Sequence, residues 1–332
     1  MTIILNIVLL IIGFIALIKG ADFFVEGSSA VAKKFKIPGV VIGLTIVAMG
    51  TSAPELAVSI SAALSGSNEI AISNVLGSNV FNLVLIFGIC AVIAPVSVDR
   101  SIMKRDFPFS ALLAVLMAIF ISDNIFSGKK VFEAASGKQV SGTISRVDAA
   151  ILLILFIAFI FFTVFTALKN RTEDDEIAEL SVLKCILYIV GGIAAIVIGG
   201  QLVVNSAKAI ALSFHMTETL VGLTIVAVGT SLPELVTSVV ASRKGQSGIA
   251  AGNIIGSCIF NILFILGISA FIHPIPVLTE SLYDAIVLIA FSVIVYIFAA
   301  TSQKIDRKEG TVLIATYVLY MVYAVCRGMG WM

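Results

Sequence analysis

Residues 43–56 read GLTIVAMGTSAPEL, and residues 222–235 read GLTIVAVGTSLPEL. Twelve of the fourteen positions are identical, at a constant offset of 179. The same offset pairs SNVLGSNVFN (73–82) with GNIIGSCIFN (252–261), and carries Gly88 and Pro95 onto Gly267 and Pro274. Self-similarity held at one offset over this span means two copies of one structural unit.

Outward from these stretches the chain is apolar nearly throughout. Of 332 residues, 59% are hydrophobic and 12% charged, where soluble domains carry about 25% charged residues. Apolar segments fall near 3–25, 39–64, 69–95, 107–122, 148–168, 181–205, 218–242, 247–272, 282–301 and 311–326. Most approach the roughly 20 residues a helix needs to cross a bilayer core. One soluble core cannot bury so many, so the lipid bilayer is the expected solvent. The reading is an all-α polytopic membrane protein of ten transmembrane helices. Its five-helix repeats cover 1–168 and 185–332 and are joined by a cytoplasmic linker, 169–184. An odd number of crossings per repeat inverts the second repeat relative to the first, as in many secondary transporters. The first apolar run, Met1–Phe24, lacks the basic start and cleavage site of a signal peptide and is expected to be a retained helix.

Orientation follows from Lys and Arg, which concentrate on the cytoplasmic side. With the N-terminus outside, the inner connections hold fourteen: Lys33, Lys34, Lys36, Arg100, Lys104, Arg105, Lys169, Arg171, Lys184, Arg243, Lys244, Lys304, Arg307 and Lys308. The outer ones hold six: Lys129, Lys130, Lys138, Arg146, Lys208 and Arg327. Both termini are therefore expected outside a cell membrane. The four cysteines lie in or beside apolar segments without metal-type spacing, which argues against a disulfide framework and against zinc.

Glu55 and Glu234 lie inside apolar segments at equivalent places in the two copies. A carboxylate at membrane depth costs roughly 3 kcal/mol and marks function by default. Thr51 and Ser52 precede Glu55 by four and three residues, and Thr230 and Ser231 stand in the same relation to Glu234, so each trio shares a helical face. In the following segments Asn74, Ser78 and Asn82 form one stripe, and Asn253, Ser257 and Asn261 repeat it. Pro54 and Pro233 remove an amide N–H and clash with the preceding turn. Gly50 and Gly229 loosen that turn, freeing carbonyls there or at Ala48 and Ala227 to face a cation. Such backbone survives at membrane depth only where it lines a cavity or is buried in protein. Carboxylate, hydroxyl, amide and carbonyl oxygens are hard donors, suited to Na⁺ and Ca²⁺ rather than zinc or copper.

At these residues the chain resembles the cation/Ca²⁺ exchanger superfamily, specifically Na⁺/Ca²⁺ exchangers of the minimal prokaryotic type. The resemblance rests on GTSAPE (50–55), GTSLPE (229–234) and the Gly-Ser-x-x-x-Asn elements at 77–82 and 256–261. It implies Na⁺/Ca²⁺ antiport by alternating access, with Glu55 and Glu234 as central ligands. Thr51, Ser52, Thr230, Ser231, Ser78, Ser257, Asn82, Asn261 and the carbonyls of Ala48 and Ala227 would complete the sites. It favours three Na⁺ per Ca²⁺, hence an electrogenic cycle. Some relatives carry Asp where Asn261 stands; here no third carboxylate is available, so transport is expected not to need K⁺. A Ca²⁺/H⁺ antiporter of the same superfamily is the alternative, with a cation channel behind it. An intramembrane enzyme is disfavoured because Ser52 and Ser231 have no nearby His or Lys base. Beyond the transported ions, no cofactor, nucleic acid or obligatory protein partner is expected.

Plainer roles compete at several positions. Thr51, Ser52, Thr230 and Ser231 suit capping of the helix breaks, and Asn74 and Asn253 suit bonding between helices. Asp22 has Gln201 as its counterpart in the repeat, so its charge is not duplicated and it reads as structural. Lys19 reads as snorkelling or pairing with a neighbouring group, His215 and His273 as incidental, and Cys258 as a small buried residue. The acidic run 172–179 lacks the glycine and spacing of a Ca²⁺-binding loop and reads as a solvated linker.

Overall fold

None of the seven prolines falls inside the seven described helices that are long and apolar enough to cross a bilayer, so no missing amide interrupts their backbone hydrogen bonding. The computed structural model describes residues 3–66, 68–128, 131–132, 139–169, 180–214 and 227–328. In chain order the helices are α1 (Ile3–Phe35), α2 (Gly39–Thr51), α3 (Ala53–Leu64), α4 (Ile70–Ile93) and α5 (Phe107–Phe120). They continue as α6 (Arg146–Lys169), α7 (Val182–Ala211), α8 (Ala227–Thr230), α9 (Leu232–Arg243), α10 (Ser247–Ile272), α11 (Thr279–Ser302) and α12 (Arg307–Arg327). Among the described residues seven helices are long and apolar enough to cross a bilayer, and the bent pair α2–α3 makes an eighth. The protein is thus a mostly helical, multi-pass membrane protein. Of the two remaining apolar segments, 107–122 is α5, and 218–242 is described only from Ala227 onward, where it is α8 and α9. The linker at 170–179, with its acidic run, and His215 lie outside the described residues.

The first helices of the two repeats lie against each other through glycines. A methyl group on Gly13 would sit 2.9 Å from the Gly199 carbonyl oxygen, and one on Gly192 would sit 2.8 Å from that of Gly20. Residue numbers on α7 fall as those on α1 rise, so the two helices are antiparallel. Gly192 and Gly199 are also the repeat counterparts of Gly13 and Gly20 at the offset of 179. Each glycine therefore meets its partner's counterpart, which is the mark of an internal two-fold relation. At the centre lie α4 and α10, with 72% and 83% of their apolar windows buried inside the protein, against 17–28% for the other continuous helices. Those outer helices turn large side chains such as Ile11, Phe161 and Ile198 outward, toward lipid.

Three features go beyond the sequence expectation. The helix ahead of Phe107 begins earlier, through a π-helical turn at Ile102–Asp106 that buries Asp106 beside Arg105, 2.7 Å away. Short strands clip the connections together: β1 (Val96–Ser97) pairs with β5 (Lys304–Ile305), and β3 (Gln139–Ile144) bridges β2 (Val131–Phe132) and β4 (Ile275–Leu278), all antiparallel. Finally, α4 and α10 each contain a π-helical turn, Phe81–Ile86 and Asn261–Leu266, one residue apart in the repeat register. Such turns are rare and frequent at functional sites.

Candidate functional site

Each broken helix turns at a serine. Ser52 (φ −80°, ψ 12°) separates α2 from α3 with a bend of 49°, and Ser231 (φ −92°, ψ 9°) separates α8 from α9. Pro54 and Pro233 follow in the first helical turn, where a missing amide is tolerated. Glu55 and Glu234 come next, also in the first turn, where the helix dipole favours a carboxylate. The order Ser-x-x-Glu is that of a capping box, in which the serine would bond the amide of its own glutamate. Neither serine does so. Ser52 Oγ instead donates to Glu234 Oε1 at 2.7 Å, and Ser231 Oγ donates to Glu55 Oε1 at 2.8 Å. The hydroxyls cross between the repeats, so the capping reading fails for these two residues.

The second stripe joins the same centre. Ser257 Oγ lies 3.1 Å from Ser52 Oγ, and Ser78 Oγ lies 3.1 Å from Ser231 Oγ. Glu55, Glu234, Ser52, Ser231, Thr51, Ser78, Ser257, Asn82 and Asn261 are all buried. Buried polar atoms are otherwise almost always hydrogen-bonded. Here Glu55 Oε2, Glu234 Oε2, Asn82 Oδ1 and Asn261 Oδ1 have no partner, nor does Asn82 Nδ2. These four acceptor oxygens have lone pairs to share, and carboxylate and amide oxygens are donors fitted to a hard cation. Among the described residues no three His, Cys, Asp or Glu side chains gather, so the acid of this centre is the glutamate pair.

The remaining expectations divide. Thr51 Oγ1 lies 3.1 Å from Val47 O, 3.3 Å from Ala48 O and 3.2 Å from Asn253 Oδ1. The Ala48 carbonyl is not freed, since it also accepts the Ser52 amide at 3.0 Å. The helix turns only after Thr51, and the carbonyl that Pro54 cannot serve is that of Gly50, four residues back. Thr230 is half-buried at the end of α8, and Ala227 opens that helix. The GLTIV run at 222–226 lies outside the described residues. Asn74 and Asn253 bond between helices: Asn74 Nδ2 donates to Glu55 O (3.1 Å) and Ser59 Oγ (2.8 Å), and Asn253 Nδ2 to Glu234 O (3.5 Å) and Ser238 Oγ (2.9 Å). Asp22 is structural, meeting Lys244 at 3.2 Å. His273 is exposed against the Pro274 carbonyl, and Cys258 is buried.

Sequence reasoning passed over Ser59 and Ser238, although they are counterparts at the same offset and stand four residues after each glutamate. It also passed over Asn79, whose counterpart is Cys258, and only comparison of the two copies would have singled it out.

A multi-pass helical protein with an internal two-fold, whose halves each bring a carboxylate on a broken helix to one buried centre, has the architecture of a secondary transporter. The chain belongs to the sodium/calcium exchanger protein family, whose model matches residues 5–165 and 184–326. It is 36% identical to the sodium/calcium exchanger MaX1 of Methanosarcina acetivorans over 96% of this chain and 97% of that protein. It is 34% identical to the putative antiporter CaxA of Alkalimonas amylolytica, over 94% and 96%. The solved structure of the sodium-calcium exchanger NCX_Mj, soaked with Na⁺ and no Ca²⁺, superposes with a TM-score of 0.82 at 31% identity, covering 97% of this chain and 99% of that one.

Proposed function

We propose that this protein is a secondary active antiporter that exchanges Na⁺ for Ca²⁺ across the cell membrane by alternating access, through one centre built on Glu55 and Glu234. The observation that carries this reading is the crossed pair, Ser52 on Glu234 and Ser231 on Glu55, which leaves one oxygen of each carboxylate without a partner. Two carboxylates buried together repel and are costly unless cations or protons neutralise them. A centre of this kind holds one Ca²⁺ or several Na⁺ in turn, which is the requirement for antiport. Thr51, Thr230, Ser78, Ser257, Asn82, Asn261 and the carbonyls at the breaks supply the neutral oxygens. The fold behind it is ten transmembrane helices in two inverted repeats, 1–168 and 185–332, with α8–α9 as the broken counterpart of α2–α3. The glycine-packed pair α1 and α7 is the group that slides against the rest.

Protons are the other means of neutralising the pair, so Ca²⁺/H⁺ antiport is the second reading. The test is Ca²⁺ uptake into proteoliposomes with Na⁺, H⁺ or K⁺ gradients imposed one at a time. A Na⁺ gradient drives uptake, an H⁺ gradient does not, and omitting K⁺ changes nothing, since Asn261 offers no carboxylate to hold it. Glu55→Gln and Glu234→Gln each abolish uptake in protein that still purifies as a folded species. Uptake driven by H⁺ alone selects the second reading, and unimpaired glutamate variants overturn both.

A further inference from the structure

The two copies carry the same residues at the three stripe positions, Asn74, Ser78 and Asn82 against Asn253, Ser257 and Asn261, but differ in chemistry at the helix crossing beside them. Asn79 on α4 stands opposite Cys258 on α10, and these two positions are repeat counterparts. Cys258 Sγ lies 3.8 Å from the Asn79 carbonyl oxygen, and Asn79 Nδ2 lies 3.4 Å from the Cys258 carbonyl oxygen. Both side chains are buried. The symmetric half of this contact is a thiol on a carbonyl. The other half is a carboxamide, with a second functional end left over.

That second end reaches the candidate site. Asn261 Nδ2 donates to Asn79 Oδ1 at 3.0 Å, and Asn261 Oδ1 is buried without a partner. Carboxamide oxygen and nitrogen are similar in shape, so the orientation of such a group is inferred from its bonding. Here the bonding runs from a fixed point. The Cys258 carbonyl can only accept, so Asn79 must present its NH₂ to it. Asn79 Oδ1 then faces Asn261, which must answer with its own NH₂. The oxygen of Asn261 is left to point away from Asn79. Asn261 shares its helical face with Ser257, which lies 3.1 Å from Ser52 in the centre. Asn82, the counterpart of Asn261, has no partner on either carboxamide atom and therefore no such constraint.

We infer that Asn79 is a positioning residue: by accepting from Asn261 it fixes that side chain so that an oxygen, never an NH₂, is offered to the bound cation. The inference rests on the proposed ion site and adds to it the residue that sets the sense of one ligand. It also makes the two amide ligands unequal, Asn261 held and Asn82 free to turn.

A double-mutant cycle read as the Ca²⁺ concentration for half-maximal uptake tests it. Asn79→Cys copies the residue already accommodated at 258 and removes the acceptor. It raises that concentration about tenfold, the loss expected when a partner behind a ligand is removed, with the maximal rate less affected. Asn261→Asp presents oxygen either way round, so adding Asn79→Cys to it costs little. A packing defect at the crossing would instead persist in both backgrounds, and equal penalties overturn the inference. So does the absence of a penalty in the background that keeps Asn261. Asn79→Ala runs the same cycle, so that a folding defect in one variant leaves the other to decide. Glu55→Gln and Glu234→Gln run alongside separate the two levels. If they leave uptake intact, the site reading itself falls; if they abolish it while the cycle is additive, only the role of Asn79 falls.

Discussion

Ser52 and Ser231 occupy cap positions yet give their protons to the glutamate of the opposite repeat. A hydrogen bond to a charged partner contributes about 1.5–3 kcal/mol, against roughly half that for a neutral one. The effects of Ser52→Ala and Glu234→Ala on stability are therefore non-additive in the double mutant, with a coupling of about 1 kcal/mol or more. Ser52→Ala combined with Glu55→Ala, the glutamate of its own helix, comes closer to additive. Strict additivity in the first pair removes the crossed bond. At this scale the identity of the buried acids and hydroxyls was legible, because a carboxylate in an apolar run is costly and its duplication is plain to read. The partner of each serine was not. Helical spacing relates residues three or four apart, whereas Ser52 and Glu234 are 182 apart and meet only when the halves close on each other. The local pattern even pointed to the wrong partner, since Ser-x-x-Glu is the order of a self-contained cap.

Among the elements, α1 and α7 approach so closely that glycine is required where they touch. A methyl group on Gly192 would meet the Gly20 carbonyl at 2.8 Å and the Phe24 amide at 2.8 Å. Gly192→Val destabilises the protein by about 1–3 kcal/mol through overpacking against backbone that has no side chain to move aside. Gly191→Val, one residue along and facing open space, is the control. Equal melting temperatures for the two variants would refute the close packing. The helices themselves were legible as apolar length, and the breaks as Gly and Pro around the glutamates. The π-helical turns were not, because no residue type announces an extra residue in a turn. Nor were the short strands, two to six residues long, whose pairing joins connections far apart in the chain. The helix before Phe107 began earlier than its apolar run because Asp106 is buried against Arg105 rather than solvated.

For the whole molecule, charge decides two further outcomes. With both glutamates ionised the centre carries −2, one Ca²⁺ brings it to zero, and three Na⁺ leave it at +1. Each net charge moved across the membrane is worth about 2.3 kcal/mol per 100 mV. Clamping the vesicle potential at fixed Na⁺ and Ca²⁺ gradients therefore changes the rate of Ca²⁺ uptake, and flux indifferent to potential means an electroneutral cycle. The distribution of Lys and Arg sets the second outcome. A tag at the C-terminus is labelled by an impermeant reagent from outside the cell, and one at Asp174 only after permeabilisation; the reverse pattern inverts the assigned orientation.

The two-fold relation between α1 and α7, carried through the crossed serines, has a bearing on direction. Two copies related in this way bring the same donor types, carboxylate and hydroxyl, to the centre from opposite sides. The paired donors of the centre cannot by themselves tell inside from outside. Any intrinsic difference between the two faces of the centre has to originate where the copies part company; Asn79 against Cys258 beside the site and Asp22 against Gln201 on the outer pair are two such places among many. Sidedness then lies in residues at which the repeats differ, and exchanging Asn79 and Cys258 between them measures how much of it sits beside the site.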